Sequence, residues 1–271
     1  MSDRPQLSED LARERGIKAA SNEVLLDVQL LTKVYGTNVA ADEVSFEVRS
    51  GSFTGVVGPN GAGKTTTLTM ITGLNRPTSG RVTVCGEDVW EKGSQAKHKI
   101  GTLPDRLRLF DRLTGAQLLH YAGVLHGLKA DVIASRTAEL AAAFALGNAL
   151  DRLVADYSAG MQKKIMLACA LIHAPRLLVL DEPFEAIDPV SAANVTEILE
   201  KFVAEGGSVV MSSHSMELIE RVCDHVVVIV SGEVVAQGTV SEVRGETTLE
   251  KKFAHLTAET NESGLNWLHG R

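Results

Sequence analysis

One nine-residue stretch constrains this chain more than any other: GPNGAGKTT, Gly58 to Thr66. It fits G-x-x-x-x-G-K-[ST], and it lies between the apolar run SFTGVVG and a helical run that starts near Lys64. In that spacing the glycines let backbone N–H groups close around phosphate oxygens. The lysine adds a point charge, and the Thr65 hydroxyl is a candidate Mg²⁺ ligand. Such a loop needs a strand running into a helix N-terminus, so it predicts an α/β fold.

The flanking sequence agrees. VLLDVQLL and VSFEVR read as strands, the second alternating in and out. RVTVCG is a further strand. From about 96 to 175 strand signals fade, and GAQLLHYAGVLHGL and DVIASRTAELAAAFAL carry helical periodicity. After Pro175 strands return in alternation with helices: RLLVLD, SAANVTEILEKFVAEGG, SVVMSS, SMELIERV, then DHVVVIVSGEVVAQG as two strands about a Ser-Gly turn. Strand and helix in alternation predict a doubly wound sheet with a helical insertion. The last 30 or so residues read as one short helix and a tail.

Composition narrows the partners. Net charge is −7 over 271 residues and aromatics are 4%, unlike a nucleic-acid binder with a basic, stacking face. Cys85, Cys169 and Cys223 form no C-x-x-C pair, which predicts small buried thiols in a reducing compartment. The longest branched-apolar run is Val226 to Val230, far short of the roughly 20 residues of a spanning helix. The first 23 residues mix acids and bases without an apolar segment, so they do not read as a signal peptide.

Two more stretches carry chemistry. In RLLVLDEP, Asp181 ends an apolar strand, a good place to hold Mg²⁺, and Glu182 beside it can orient or deprotonate water. Alone, an Asp-Glu pair is equally an exposed strand end. In DYSAGMQKK, Ser158 to Gly160 lead straight into an apolar helical run, as where free N–H groups approach an anion. Alone, Ser158 is an ordinary helix cap. A second anion site without lysine is spare within one chain, and makes sense if it completes the site of another copy related by a two-fold axis.

With these motifs in this order, the sequence resembles the nucleotide-binding subunit of ABC transporters over residues 24–240. GPNGAGKTT matches the Walker A, LLVLDEP the Walker B, YSAGMQ the signature, EAID the D-loop, SSH the switch histidine, and Tyr35 in LTKVYG the residue that stacks on adenine. The resemblance implies a P-loop NTPase (RecA-like) core with a mixed or parallel sheet, an N-terminal antiparallel β subdomain and an inserted α-helical subdomain. Its boundaries would be a tail at 1–23, core at 24–95 and 176–240, helices at 96–175, and a short helix and tail at 241–271.

It further implies ATP and Mg²⁺ as ligands. Nucleotide contacts fall to Tyr35, Gly58, Pro59, Asn60, Gly61, Ala62, Gly63, Lys64, Thr65 and Thr66, with Asp105, Ser158, Gly160 and Asp188. The metal falls to Thr65, Asp181 and Asp105. Catalysis falls to Lys64, Glu182 as the group that polarises water, and His214 as the sensor of the γ-phosphate. Ser158 and Gly160 would reach the γ-phosphate of the opposite subunit, and Asp188 would couple the two sites. The implied partners are a permease on a separate chain and a second copy, at the cytoplasmic face of the membrane, with no nucleic acid. A soluble ATPase of the same family acting on a macromolecular complex, or a regulatory module without turnover, are the alternatives. The first generally carries two phosphate loops per chain, and this chain has one. The intact Lys64, Asp181, Glu182 and His214 argue against the second.

Two departures stand out. The usual Leu-Ser-Gly-Gly-Gln signature is here Tyr157, Ser158, Ala159, Gly160 and Met161, a form similar to the ABC-2 exporter group. In IGTLPD, the position where the family usually has glutamine is Asp105, one methylene shorter and negative. Around it, residues 97–112 hold Lys97, Lys99, Arg106, Arg108 and Arg112 against Asp105 and Asp111, a basic stretch that reads either as a solvated face or as a docking surface for a membrane subunit near anionic headgroups. Aspartate still offers an oxygen to a hard cation. Replacing Asp105 by Gln is therefore expected to shift the Mg²⁺ dependence and rate of ATP turnover. Steady-state turnover titrated with Mg²⁺ checks this, and identical curves would exclude a metal-site role for Asp105.

Overall fold

Apolar runs with no polar alternation, LLVL and HVVVIV, demand a sheet buried on both faces. The computed structural model, which describes residues 23–258 apart from 93, 106–109 and 111, shows that sheet. Chain order begins with β1 (Val24–Tyr35), β2 (Asn38–Arg49), β3 (Phe53–Val57), α1 (Lys64–Ile71), β4 (Ser79–Val84), β5 (Glu87–Asp88) and β6 (Ile100–Leu103). Then come α2 (Gly115–Leu125), α3 (Ala130–Ala143), α4 (Ala159–Leu171), β7 (Leu177–Leu180), α5 (Pro189–Ala204) and β8 (Ser208–Ser212). The chain continues through α6 (Met216–Val222), β9 (His225–Val230), β10 (Glu233–Thr239), α7 (Val240–Arg244) and α8 (Leu249–Ala258).

The six-stranded sheet has the order β10-β9-β3-β8-β7-β6, parallel except for the β9–β10 hairpin at one edge. A separate antiparallel sheet, β2-β1-β4-β5, is the expected N-terminal β subdomain. Side chains along the parallel strands alternate between two cores, as a period of two requires. Leu177, Val179, Val210, Val227 and Ile229 face α1 and the antiparallel sheet. Leu178, Leu180, Val209, Met211 and Val228 face the other side, with Ile165, Leu199 and Ile219 of α4, α5 and α6. One face of the sheet is thus closed by a second sheet as well as by a helix, which simple doubly wound alternation does not predict.

Two boundaries differ from expectation. Residues 100–103 fall in the stretch read as helical from 96, but they form β6, with Ile100 opposite Leu177 and Leu103 opposite Leu180. Four residues between polar neighbours are too few for periodicity to show. The helical unit starts instead at Thr114, whose hydroxyl accepts from the Gln117 N–H while Gln117 accepts from the Thr114 N–H, a reciprocal cap. At the other end, residues 240–258 form two helices, not one. Thr239 and Glu242 repeat the reciprocal cap at α7, and α8 follows, its first N–H bonded to Glu220 of α6. The sequence beyond 258, and the N-terminal segment up to residue 22, lie outside the described residues. The thiols are less uniformly buried than expected: Cys223 is buried, while Cys85 and Cys169 are half-buried. Burial pushes the Cys169 thiol up to about 12.

A histidine stack joins β6 to the helical unit. The rings of His126, which ends α2, and His173, just after α4, lie parallel with centroids 3.6 Å apart. His98 meets His126 edge-on at 6.1 Å. His173 Nε2 donates to the Ile100 carbonyl at 3.1 Å, which leaves Nδ1 of both stacked rings buried without a partner. Burial first, then the neighbouring ring and His98 and Arg136, pushes His173 down to about 4. Burial and His98 lower His126 as well. Unfolded histidine protonates near its ordinary 6.5, so between about 6.5 and 4 the unfolded chain binds more protons and stability falls with falling pH. His173→Gln is expected to flatten that slope, as read from denaturant unfolding at several pH values.

Candidate functional site

The carboxyl ends of β3, β8 and β7, neighbours in the parallel sheet, open onto one edge, so the turns that follow them converge. After β3 comes the glycine-rich loop. A Cβ at Gly58 would lie 2.1 Å from the Ile229 carbonyl oxygen, and one at Gly63 would lie 2.2 Å from that of Ala40. Gly63, at φ +100°, is also in the left-handed region. It precedes α1 with no side chain capping the helix, so the first N–H groups of α1 are left for a ligand. Lys64, nearly buried, donates to the carbonyls of Gly58 at 2.7 Å and Pro59 at 3.1 Å. Burial lowers its ammonium below the ordinary value, while the carboxylates of Glu182 and Asp181 push it back up. Thr65 stands exposed on the first turn of α1.

The turn after β7 brings the carboxylates. Asp181 is buried; its Oδ1 accepts from the Ser212 hydroxyl, and its Oδ2 is buried without a hydrogen-bond partner. A dry carboxylate oxygen left unpaired is costly, and a hard cation is the ligand that would satisfy it. That donor fits Mg²⁺, with Thr65 the nearby hydroxyl. Glu182 has φ +48°, a left-handed conformation that costs a side-chain-bearing residue about 1–2 kcal/mol. Its N–H donates to Ser212 Oγ at 2.9 Å, and its Oε2 lies 3.1 Å from His214 Nδ1. Glu182 is largely covered and His214 is 67% exposed, so the pair stands at the mouth of the site.

Ser212 was not singled out from the sequence. It ends β8, donates to Asp181 and accepts from Glu182, so one hydroxyl sets both carboxylates. Its only signal was its place in SSH, where the histidine drew attention.

The remaining expected residues are spread out. Tyr35 ends β1 half-exposed, with its hydroxyl accepting from Asn75 and Lys33 Nζ 5.1 Å from the ring centroid. Ser158 caps α4 by accepting from the Met161 N–H at 3.3 Å and is exposed. Tyr157 is buried and donates to the Ala149 carbonyl at 2.6 Å, which pins the turn before α4. Neither Ser158 nor Gly160 shares a hydrogen bond or cavity with the phosphate loop among the described residues. Asp188 caps α5, accepting from Val190 and Ser191 N–H at 3.1 and 3.0 Å, and the hydrogen bonds to Ser191 hold its carboxyl below the ordinary value. Asp105 lines a separate cavity of about 220 Å³ with Gln162, Lys163 and Glu185. Asp105 is thus grouped with α4 and the D-loop, while Thr65 and Asp181 lie outside that cavity's lining.

Residues 41–185, from β2 through the turn after β7, match the ABC transporter family. The chain belongs to that family. It is 36% identical over 219 residues to the Nod factor export ATP-binding protein I of Cupriavidus metallidurans, spanning 81% of this chain and 72% of that protein. It is 34% identical over 230 residues to the linearmycin resistance ATP-binding protein LnrL of Bacillus subtilis, at 83% and 74% coverage. A solved ATP-binding subunit of an ABC transporter superposes with a TM-score of 0.81 at 30% identity, covering 86% of this chain and 99% of that one. As an ABC transporter protein the chain is an ATPase with an α/β cassette fold.

Ser212→Ala tests the shared hydroxyl. It strands the buried Glu182 N–H and unties Asp181 Oδ1, so stability should fall by about 1–3 kcal/mol. If Asp181 holds Mg²⁺, the Mg²⁺ concentration for half-maximal turnover should also rise by roughly 10–100-fold. Thermal unfolding and Mg²⁺-titrated ATP turnover check the two effects separately.

Proposed function

We propose that this chain is the ATP-hydrolysing subunit of an exporter whose membrane permease is a separate chain. In this reading two copies sandwich ATP between the phosphate loop of one and the start of α4 in the other. The observation that carries it is the half-satisfied Asp181 beside Lys64, Glu182 and His214. Lys64 would exchange the Gly58 and Pro59 carbonyls for phosphate oxygens, and the uncapped start of α1 would add N–H donors. Asp181 and Thr65 would hold Mg²⁺, which neutralises charge developing on the phosphates when bound. Glu182 would accept the proton of the attacking water, with His214 holding that carboxylate from the open side.

Support for the second copy comes from α4. Its N-terminus is exposed, small at Ala159 and Gly160, and carries no lysine in its first turn, so it can approach an anion held elsewhere. Asp188 and Val190 are exposed beside it on the D-loop side, with Val190 81% exposed, as a face that meets a partner would be. Export is the activity in the printed name of the relative from C. metallidurans, and resistance that of the one from B. subtilis. No helix among the described residues is long and apolar enough to cross a membrane, which suits a peripheral subunit docked on a permease at the cytoplasmic face.

Glu182→Gln separates binding from turnover. It should lower ATP turnover by roughly 10²–10⁴-fold while leaving ATP binding intact, and it should accumulate an ATP-dependent dimer in sedimentation. Unchanged turnover would remove Glu182 from the chemistry. A tagged pull-down from solubilised membranes should recover a multi-span partner, and recovery of ribosomes instead would overturn the transport reading.

A further inference from the structure

A second cavity, of about 460 Å³, lies away from the nucleotide residues. It is a groove between α3 of the helical unit and the end of α5 in the core. Leu140, Ala143, Leu171, Pro175 and Phe202 form its apolar floor, and Arg136 and Arg176 stand beside Glu139 and Glu205 at its rim.

Two independent links place the start of the described chain at its edge. The Glu23 carboxylate pairs with Arg176 at 3.2 Å, and Arg176 lines the groove. The Glu23 carbonyl accepts from the Ser50 N–H, and the Ser50 hydroxyl donates to the carbonyl of Gly206, another lining residue. Glu23, where the described chain begins, therefore stands beside an apolar groove. The composition of residues 1–22 suits it. Ile17, Leu11 and Leu7 are the large aliphatic residues, set among Asp3, Glu9, Asp10 and Glu14 and Arg4, Arg13, Arg15 and Lys18. Four acids and four bases match a rim that also carries both signs. Ile17 is the first large apolar residue before Glu23, and six residues of extended chain reach about 20 Å.

We propose that the segment preceding Glu23 seats Ile17 in the groove between α3 and α5 and so fastens the helical unit to the core of the same chain. A tether this short gives a local concentration in the millimolar range, so a contact too weak to hold between separate molecules suffices here. The groove is an intramolecular docking surface, and its occupant is residues 1–22.

Hydrogen exchange read by mass spectrometry on the full chain tests this. Two single variants are compared with the parent: Ile17→Asp, which spoils the occupant, and Ala143→Glu, an exposed position on the groove wall. In Ile17→Asp, peptides covering 136–143 and 202–207 should exchange roughly tenfold faster than in the parent. In Ala143→Glu, peptides from 11–22 should speed up by a similar factor, which no folding defect of the first variant could imitate. Protection that is the same in all three chains would overturn the proposal. Protection of the groove that grows with protein concentration would assign it to a second copy, and protection that appears only with added membranes would assign it to another partner. Either result would overturn it as well.

Discussion

The geometry of the site depends on backbone packed against the phosphate loop from both sheets. The Gly232 N–H, in the turn between β9 and β10, donates to the Ala62 carbonyl at 3.0 Å, and the Asp42 N–H of β2 donates to the Gly232 carbonyl at 2.9 Å. Ile229 and Ala40 carbonyls occupy the space that a Cβ on Gly58 or Gly63 would need. The loop is thus gripped between the antiparallel sheet and the edge hairpin of the parallel sheet. Lys64 completes the grip by donating to the loop's own carbonyls. The curvature that receives phosphate is set by tertiary packing, with backbone carbonyls as the tools.

The same logic extends to the carboxylates. β8 lies between β3 and β7, so its last residue reaches both the loop strand and the Asp181 strand. The Ser213 N–H bonds back to Val56 of β3, and the Ser212 hydroxyl bonds forward to Asp181 and Glu182. Strand order, not proximity in sequence, makes Ser212 the hinge of the site. The left-handed turn at Glu182 then aims its carboxylate at His214, whose exposure leaves room for the reaction to be closed from outside. The left-handed backbone at Glu182 is thus held where the surrounding sheet is most over-determined.

Much of this was legible in the residues. The loop at Gly58–Thr66 demands a strand before it and a helix after it, and β3 and α1 stand there. The unbroken apolar runs of β7 and β9 required a sheet covered on both faces, and two cores cover it. What was hidden depends on partners distant in sequence. β6 is four residues long and is a strand only because β7 pairs with it. Ser212 has no chemical label of its own, and its role exists only because β8 ends beside Asp181. The stack of His126 on His173 joins residues far apart in sequence, which no local pattern could bring together. Asp105 could be placed in order along the chain, but its grouping with Lys163 and Glu185 follows from how α4 packs against β6.

The helix α4 is where the proposed second half of the site is built. Its N-terminus is held from within by Tyr157, whose ring is buried and whose hydroxyl is bonded to Ala149, and by the cap at Ser158. Tyrosine at the position usually filled by leucine gives this turn a polar anchor as well as an apolar one. The start of α4 is therefore held in place, exposed and electropositive by its dipole, with no lysine in its first turn and, among the described residues, no hydrogen bond to the chain's own phosphate loop. In the proposed sandwich the acceptor would be the outermost phosphate of a nucleotide held at Lys64 of a second copy, and closing two such chains about a two-fold axis would satisfy both half-sites at once.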